Sequence, residues 1–255
     1  MTDVDPAANA VVREGRERPD ADTAGARLVD LGLGLVVEAG MITSKWVPAP
    51  IVCDFLGWEQ SSAHYAAGTG FPTGKIELVG NTGTCLDSPF HRFADGKDLA
   101  ALELSSLAVL DAVVVRATGL ASRAIGRDAV AAALGGAGVR GRAVLVETGW
   151  DREWRTDRSF EGHPFLTADA ADALLWAGAA LVGIDSYNVD DTDDGRRPVH
   201  TALLGAEITI VEHLRGLEQL PPAGFRFSAV PIKVTGMGTF PARAYANLGA
   251  SADCG

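Results

Sequence analysis

The sequence predicts an α/β fold with a mixed central sheet in a single domain. Three observations carry this expectation. Apolar runs of strand length alternate with a helical apolar pattern through the second half of the chain. The stretch "LTADAADALLWAGAALVGID", Leu166 to Asp185, reads as a helix that hands over directly to a strand, which is an αβ unit. Hydrophobic residues make up 47% of 255 residues, enough for one large core.

The elements follow in order. Residues 1–25 are polar, charged and aperiodic and read as a flexible tail, leaving 26–255 as the folded domain. "ARLVDLGLGLV" then reads as a strand with partial alternation. From Lys45 to Thr84, three prolines and many glycines rule out a long helix and predict loops and short strands around a pocket. Within it "GKIELVG" is a strand that leads into the motif below. "LAVLDAVVVRATG" is a buried strand, "ASRAIGRDAVAAALGGAGV" a helix stopped by Gly135 and Gly136, and "GRAVLVETGW" an apolar strand ending in polar and aromatic residues. Thr167 is placed as the cap of the next helix, and "ALVGID", "AEITIVEHL" and "FRFSAVPIKVTG" as further strands.

Bulk charge narrows the function. The net charge is -11, and there is no Lys/Arg run, which argues against a nucleic-acid surface and against anionic lipid. No apolar run reaches the length of a membrane span, and the first residues lack a basic, then apolar, leader pattern. Three widely spaced cysteines, Cys53, Cys85 and Cys254, make a disulfide framework improbable and point to a reducing cytoplasm. The expected partner is a small-molecule substrate.

Chemistry concentrates in "NTGTCLDSPFH", residues 81–91. A metal site needs convergent N, O or S donors. On an extended strand Cys85 and Asp87 share a face. A turn at Thr82-Gly83-Thr84 brings Asn81 round to join them, and Pro89 stiffens the path to His91. The same residues also suit a Gly-rich hairpin with a buried Cys and an Asp capping a turn. A second constellation is "HTALLGAEITIVE", in which Glu212 is a lone carboxylate closing an apolar strand and His200 opens the segment. A buried carboxylate there needs a partner or a ligand role; otherwise Glu212 marks the solvent end of its strand and His200 a helix start. In "GIDSYNVDD", Asp185 and Asp190 follow a strand at the end where α/β proteins place ligands, although the acidic run 190–194 also reads as a solvated loop. Trp58, His64, Phe90, Trp150 and Tyr187 are candidate walls for a flat substrate, with a core role for Trp150 equally open. His163 reads as a turn residue. His213 is left out of the site, because strand alternation points it away from Glu212.

With both constellations in view, the chain resembles the cyclase family that includes bacterial kynurenine formamidase and isatin hydrolase. The family signature is H-x-G-T-H-x-D-x-P-x-H, and the frame Gly83, Thr84, Asp87, Pro89, His91 matches it. The resemblance continues through "ALVGIDSYNVDD", "HTALLGAEITIVEHL" and "VPIKVTGMGTFPARAYA", from about residue 27 onward. It implies a swivelling β/β/α fold, a homodimer or homotetramer, and a site in which the signature aspartate, a later histidine matching His200 and a glutamate matching Glu212 hold divalent metal. His91 matches the family's general acid/base. Members hydrolyse amides and lactams, and others act in ring closure of aromatic polyketides in antibiotic pathways.

Asn81 and Cys85 depart from the pattern, since each stands where the signature has a histidine. Asn is a weak neutral donor, whereas a deprotonated Cys is a good soft ligand for zinc. Two outcomes stay open: one divalent cation, Zn or Mn, held by Cys85, Asp87, His200 and Glu212, or none. Three functions follow. The first, preferred by a small margin, is acid–base cyclisation, dehydration or isomerisation of a carbonyl-rich or aromatic ring in secondary metabolism. It would use His91 as base, Asp87 as orienter or acid and Asn81 as oxyanion donor. The second is a metal-dependent hydrolase of a small amide, lactam or lactone, with Cys85 as a nucleophile in one variant. The third is a binding protein on an old enzyme fold.

Overall fold

The structure is a computed structural model and describes residues 27–33 and 47–249. The expected tail over 1–25, the end of the first expected strand and Cys254 lie outside the described residues. In chain order the elements are β1 (Leu28–Asp30), β2 (Ile51–Leu56), α1 (Trp58–Ser62), β3 (Thr73–Glu77), β4 (Cys85–Asp87), β5 (Leu110–Arg116), β6 (Ala124–Ile125), α2 (Arg127–Leu134), β7 (Ala143–Glu147), β8 (Phe165–Leu166), α3 (Ala168–Ala177), β9 (Leu181–Ile184), α4 (Pro198–Gly205), β10 (Thr209–Glu212), β11 (Ala223–Pro231) and β12 (Thr239–Asn247).

The chain divides into two compact units. Among the described residues the larger comprises 27–33, 47–49 and 79–249, the smaller 50–78. The larger unit is built on a mixed sheet in the order β1-β12-β11-β5-β7-β9-β10-β4, and β12 also pairs with β4. That second pairing closes all the strands but β1 into a barrel. β5, β7, β9 and β10 run parallel, while β11, β12 and β4 are antiparallel to their neighbours.

Side-chain alternation along these strands separates two cores. On β5 and β7, Ala112, Val114, Ala143 and Leu145 join Leu86, Val211 and Phe227 in one cluster. The intervening Val113, Val115, Val144 and Val146 join Leu174, Leu203 and Ile125 in the other, beneath α2, α3 and α4. The parallel strands are covered on both faces, which is why they read as unbroken apolar runs. Each fully buried Leu, Ile or Phe stabilises by about 1.5–3 kcal/mol.

The expected stop of α2 at Gly135 is present, and α3 ends in the same way. α2 stops at Gly135 (φ 56) and α3 at Gly178 (φ 79), both left-handed. Thr167 stands at the N-cap position of α3, but its hydroxyl donates to the carbonyl of Ile125 and to Asp169, so it bridges two elements and does not cap an α3 amide. β12 is a strand that the sequence analysis did not place, and it contains a proline. Pro241 pairs with Cys85 in β12, next to the short strand that closes the barrel. The smaller unit, taken by itself, contains the antiparallel pair β2–β3, with Ile51 opposite Glu77 and Val52 opposite Ile76, and the single turn of α1 between them. Among the described residues no helix is long and apolar enough to cross a membrane.

Candidate functional site

The site grows from β4. Gly83 takes φ 69, a left-handed turn that an L side chain would strain, and the chain then enters the strand at Cys85. Cys85 and Asp87 point to one face, as expected. Glu212 lies directly across the ladder from Cys85, so pairing of β10 with β4 puts all three on that face. Pro89 opens a short 3-10 turn that carries His91, and Ser88 anchors it, its backbone N–H and hydroxyl both donating to the Gly238 carbonyl at 2.7 and 3.0 Å.

His200 comes from the first turn of α4. Its Nε2 stands 3.6 Å from Asp87 Oδ2 and 3.7 Å from Glu212 Oε1. His91 Nε2 is 4.0 Å from Asp87 Oδ1, and the donor atoms of Asp87, His91 and His200 all lie within 4.8 Å of one another. Asp87 is fully buried, and neither of its oxygens has a hydrogen-bond partner. An uncompensated buried carboxylate costs several kcal/mol. Two orphaned oxygens facing imidazole nitrogens are what a cation requires.

Asp190 governs the orientation of His200. Its Oδ1 accepts the Val199 N–H at 2.8 Å, and its Oδ2 accepts the His200 N–H at 3.0 Å and faces His200 Nδ1 at 2.7 Å. One carboxylate thus caps α4 and accepts a hydrogen bond from the Nδ1–H, leaving Nε2 aimed at Asp87 and Glu212. Sequence reading divided Asp190 from its neighbours poorly: Asp190 is buried, while Asp191, Asp193 and Asp194 form a partly exposed loop paired with Arg123 and Arg196.

Protonation follows from this packing. Burial opposes charge on His200, but its hydrogen bond to Asp190, then Asp87 and Glu212, push its pKa up to about 10. Burial raises the Asp87 carboxyl, and the facing His200 and His91 rings outweigh it, holding the group below its ordinary range. Glu212 is raised by burial and by the charge of Asp87, against the pull of His200. Its Oε1 accepts the Val189 N–H at 2.8 Å, and it is not at a solvent end of its strand. Burial, then Asp87 and Glu212, push the Cys85 thiol well above its ordinary value.

Beside this centre is a narrow cleft lined by Leu33, Trp150, Trp154, Tyr187 and His213, among others. Trp150 and Tyr187 are brought together here, as expected of aromatic walls, with the Trp150 ring nitrogen donating to the Ser159 carbonyl at 3.1 Å. Asp185 also lines it, accepting from the Thr148 N–H and hydroxyl and the Gly149 N–H; burial nonetheless pushes it up to about 7. Phe90 is half-buried in the 3-10 turn, and Asn81 is half-buried in the turn before β4. Trp58 and His64 belong to the smaller unit, both exposed, and are not among the residues lining this cleft.

His213 is the residue that sequence reasoning passed over. Alternation would turn it from Glu212, but β10 stops at Glu212 and His213 adopts φ 57. Its ring lies 19° from parallel to Tyr187, with Nδ1 2.8 Å from the Gly83 carbonyl and Nε2 2.7 Å from the Tyr187 carbonyl. It ties the signature turn to the Tyr187 loop. His163 is buried, between the Pro164 carbonyl and the Thr192 hydroxyl.

A closed mixed barrel with a buried carboxylate–imidazole centre defines a class of small-molecule enzymes. The family model described as cyclase matches residues 29–191. A kynurenine formamidase of Salinibacter ruber is 32% identical over 177 residues, covering 67% of this chain and 77% of that protein. Isatin hydrolase A from Labrenzia aggregata superposes with a TM-score of 0.73 at 19% identity, over 88% of this chain and 94% of that one. A potential metal-dependent hydrolase with cyclase activity gives 0.70 at 23%, over 88% and 98%. The structural likenesses show the fold. The chain belongs to the cyclase family and is an enzyme of it.

Proposed function

We propose that this protein is a hydrolase of a small amide or lactam carried on an aromatic ring, using one divalent cation, zinc or manganese. The observation that carries the reading is Asp87, buried with two unpartnered oxygens facing His200 and His91. Asp87, His200 and Glu212 would hold the cation, with Cys85 on the same face as a further donor. When bound, the cation supplies Lewis acidity to a carbonyl and to water. The chain's own groups do the rest. Asp190 keeps the His200 proton on Nδ1, leaving Nε2 as the donor. His91, whose side chain is 31% exposed, stands at the mouth of the site and moves a proton between the reacting atoms and solvent. Trp150 and Tyr187 take up the flat ring. The same reading places the protein in the cytoplasm, where well-separated cysteines remain reduced.

A second reading is favoured by one observation. With a proton in place of the cation, His200 carries charge between Asp87 and Glu212 and compensates both. That is a ready acid–base set for metal-free ring closure, dehydration or isomerisation in secondary metabolism. One experiment separates the two. Metal content is measured on purified and chelator-treated protein, and both are offered an N-formyl anilide and a benzo-fused lactam. About one equivalent of zinc or manganese, with hydrolysis lost on stripping and regained on reconstitution, supports the hydrolase. A folded protein that binds no cation and hydrolyses neither compound overturns it.

A further inference from the structure

Asp185 is a buried carboxylate that neither the cation site nor the proton transfer uses. It directly follows β9 and is 3% exposed. Among the described residues its side-chain partners belong to one short turn. Oδ1 accepts the Thr148 N–H at 2.7 Å and the Thr148 hydroxyl at 2.6 Å, and Oδ2 accepts the Gly149 N–H at 2.8 Å. Gly149, at φ 73, turns the chain out of β7 into a 3-10 segment, Trp150–Glu153, with Trp154 at its end. Trp150, Asp151 and Trp154 all line the aromatic cleft. The chain of bonds runs on toward it: the Thr148 hydroxyl gives its proton to Asp185, and its oxygen accepts the Trp150 N–H at 3.2 Å. The bond from Trp150 Nε1 to the Ser159 carbonyl orients the indole. The backbone that carries the indole is set from Asp185.

Three donors converge on two oxygens, and two of them are backbone N–H groups that cannot be reversed. An ionised carboxylate satisfies all three, whereas a protonated one turns an oxygen into a donor and aims it at another donor. We infer that Asp185 is a positioning residue for the substrate ring, holding Thr148 and Gly149 so that Trp150 stands as the wall against which the ring packs. This rests on the reading that Trp150 takes up the ring. Burial pushes the Asp185 carboxyl up to about 7, against the bonds from Thr148 and Gly149, and the charge of Asp151 adds to the rise. Near neutral pH the turn is therefore held by a group that gains a proton on mild acidification. The other titratable or charged groups here are Asp151 in the 3-10 segment, Tyr187 after β9 and His213 after β10. Arg152 stands beside Gly149, Arg158 over the Trp150 ring, and Glu147 is paired with Arg116.

The test uses the whole chain, as purified and after chelator treatment. Calorimetry measures binding of indolin-2-one, a benzo-fused lactam, and turnover of the same compound gives kcat and KM. Asp185→Asn keeps one oxygen and sets an NH₂ against the turn. It is expected to weaken lactam binding and raise KM about 10–100-fold, with kcat and zinc affinity unchanged. In the parent, affinity should be steady above about pH 7 and weaken below it; in Asp185→Asn that fall should be absent, and the groups named above are common to both proteins. Should Asp185→Asn fail to fold, Thr148→Val removes only the link to the Trp150 N–H and should weaken binding about 3–10-fold, with Thr148→Ser restoring it. Lactam that does not bind the parent, binding indifferent to these substitutions, a pH dependence that survives in Asp185→Asn, or a loss of kcat and zinc affinity alongside KM would each overturn the inference. A protein that shows the expected binding pattern but hydrolyses nothing keeps Asp185 in this role and removes the hydrolase. A zinc-dependent hydrolase whose KM ignores Asp185→Asn does the reverse.

Discussion

Replacing Asp190 with Asn isolates the group that aims His200. The carboxylate accepts two backbone N–H bonds, from Val199 and His200, and faces the ring Nδ1 at 2.7 Å, all without solvent. Asn offers one oxygen for these donors. If it faces His200, its NH₂ confronts the Val199 N–H; if it faces Val199, the ring loses its acceptor. A hydrogen bond to a charged group contributes about 1.5–3 kcal/mol, and a stranded buried donor costs about 1–3. The metal-free variant should therefore unfold about 3–5 kcal/mol more easily. Zinc affinity should fall about 10–100-fold, the usual effect of removing the group that orients a ligating imidazole. The pH dependence has a definite sign. The His200 pKa is raised from 6.5 to about 10 in the folded state, so its contribution to stability is complete below 6.5 and is lost as pH rises through about 10. Urea unfolding of the metal-free protein should show that decline, and Asp190→Asn should flatten it. Chelator competition reads the zinc constant. A variant that loses stability but binds zinc as tightly as the parent would reduce Asp190 to a helix cap and refute the orienting role.

Other outcomes follow from the same geometry. His91→Gln should lower kcat about 10²–10⁴-fold with zinc content unchanged; a fall in zinc content would make His91 a ligand instead. Gly238→Ala would drive a Cβ into the backbone nitrogen and Cα of His91, which are among its nearest neighbours, and should cost about 3 kcal/mol and most of the activity, read by thermal unfolding and turnover. Cys85 is fully buried with its thiol held protonated, whereas Cys53 is exposed. Peptide mass spectrometry after brief alkylation should find Cys53 modified and Cys85 untouched until the protein unfolds.

The parts of the fold legible in sequence were those fixed by local rules. The parallel strands announced themselves because both faces are buried, α2 through its apolar spacing and the glycines that stop it, and α3 because its helical pattern runs directly into a strand. β12 was not legible, since Pro241 and small alanines hide a strand whose partners are far away in sequence. The site divides in the same way. Asp87, His200 and Glu212 were found through motif spacing and through the oddness of a carboxylate in an apolar run. Asp190 stood out with Asp185 at a strand end but also opened an acidic run that reads as a solvated loop, and only the fold shows that it turns inward. His213 was discarded by a rule that holds along a strand and fails at the residue where the strand stops. Trp58 and His64 were grouped with the site because they precede the motif in sequence, yet contacts place them in a different unit.

The closing of the barrel has a consequence for biosynthesis. β4, at residues 85–87, pairs only with β10 and β12, which begin at residues 209 and 239. As the ribosome delivers the chain from its N-terminus, β5, β7 and β9 can assemble in turn beside one another, but the strand that bears the reactive residues has no neighbour until nearly the entire polypeptide has emerged. A nascent chain arrested before Thr209 would then carry β5, β7 and β9 but leave β4, with Cys85 and Asp87, without a strand to pair with.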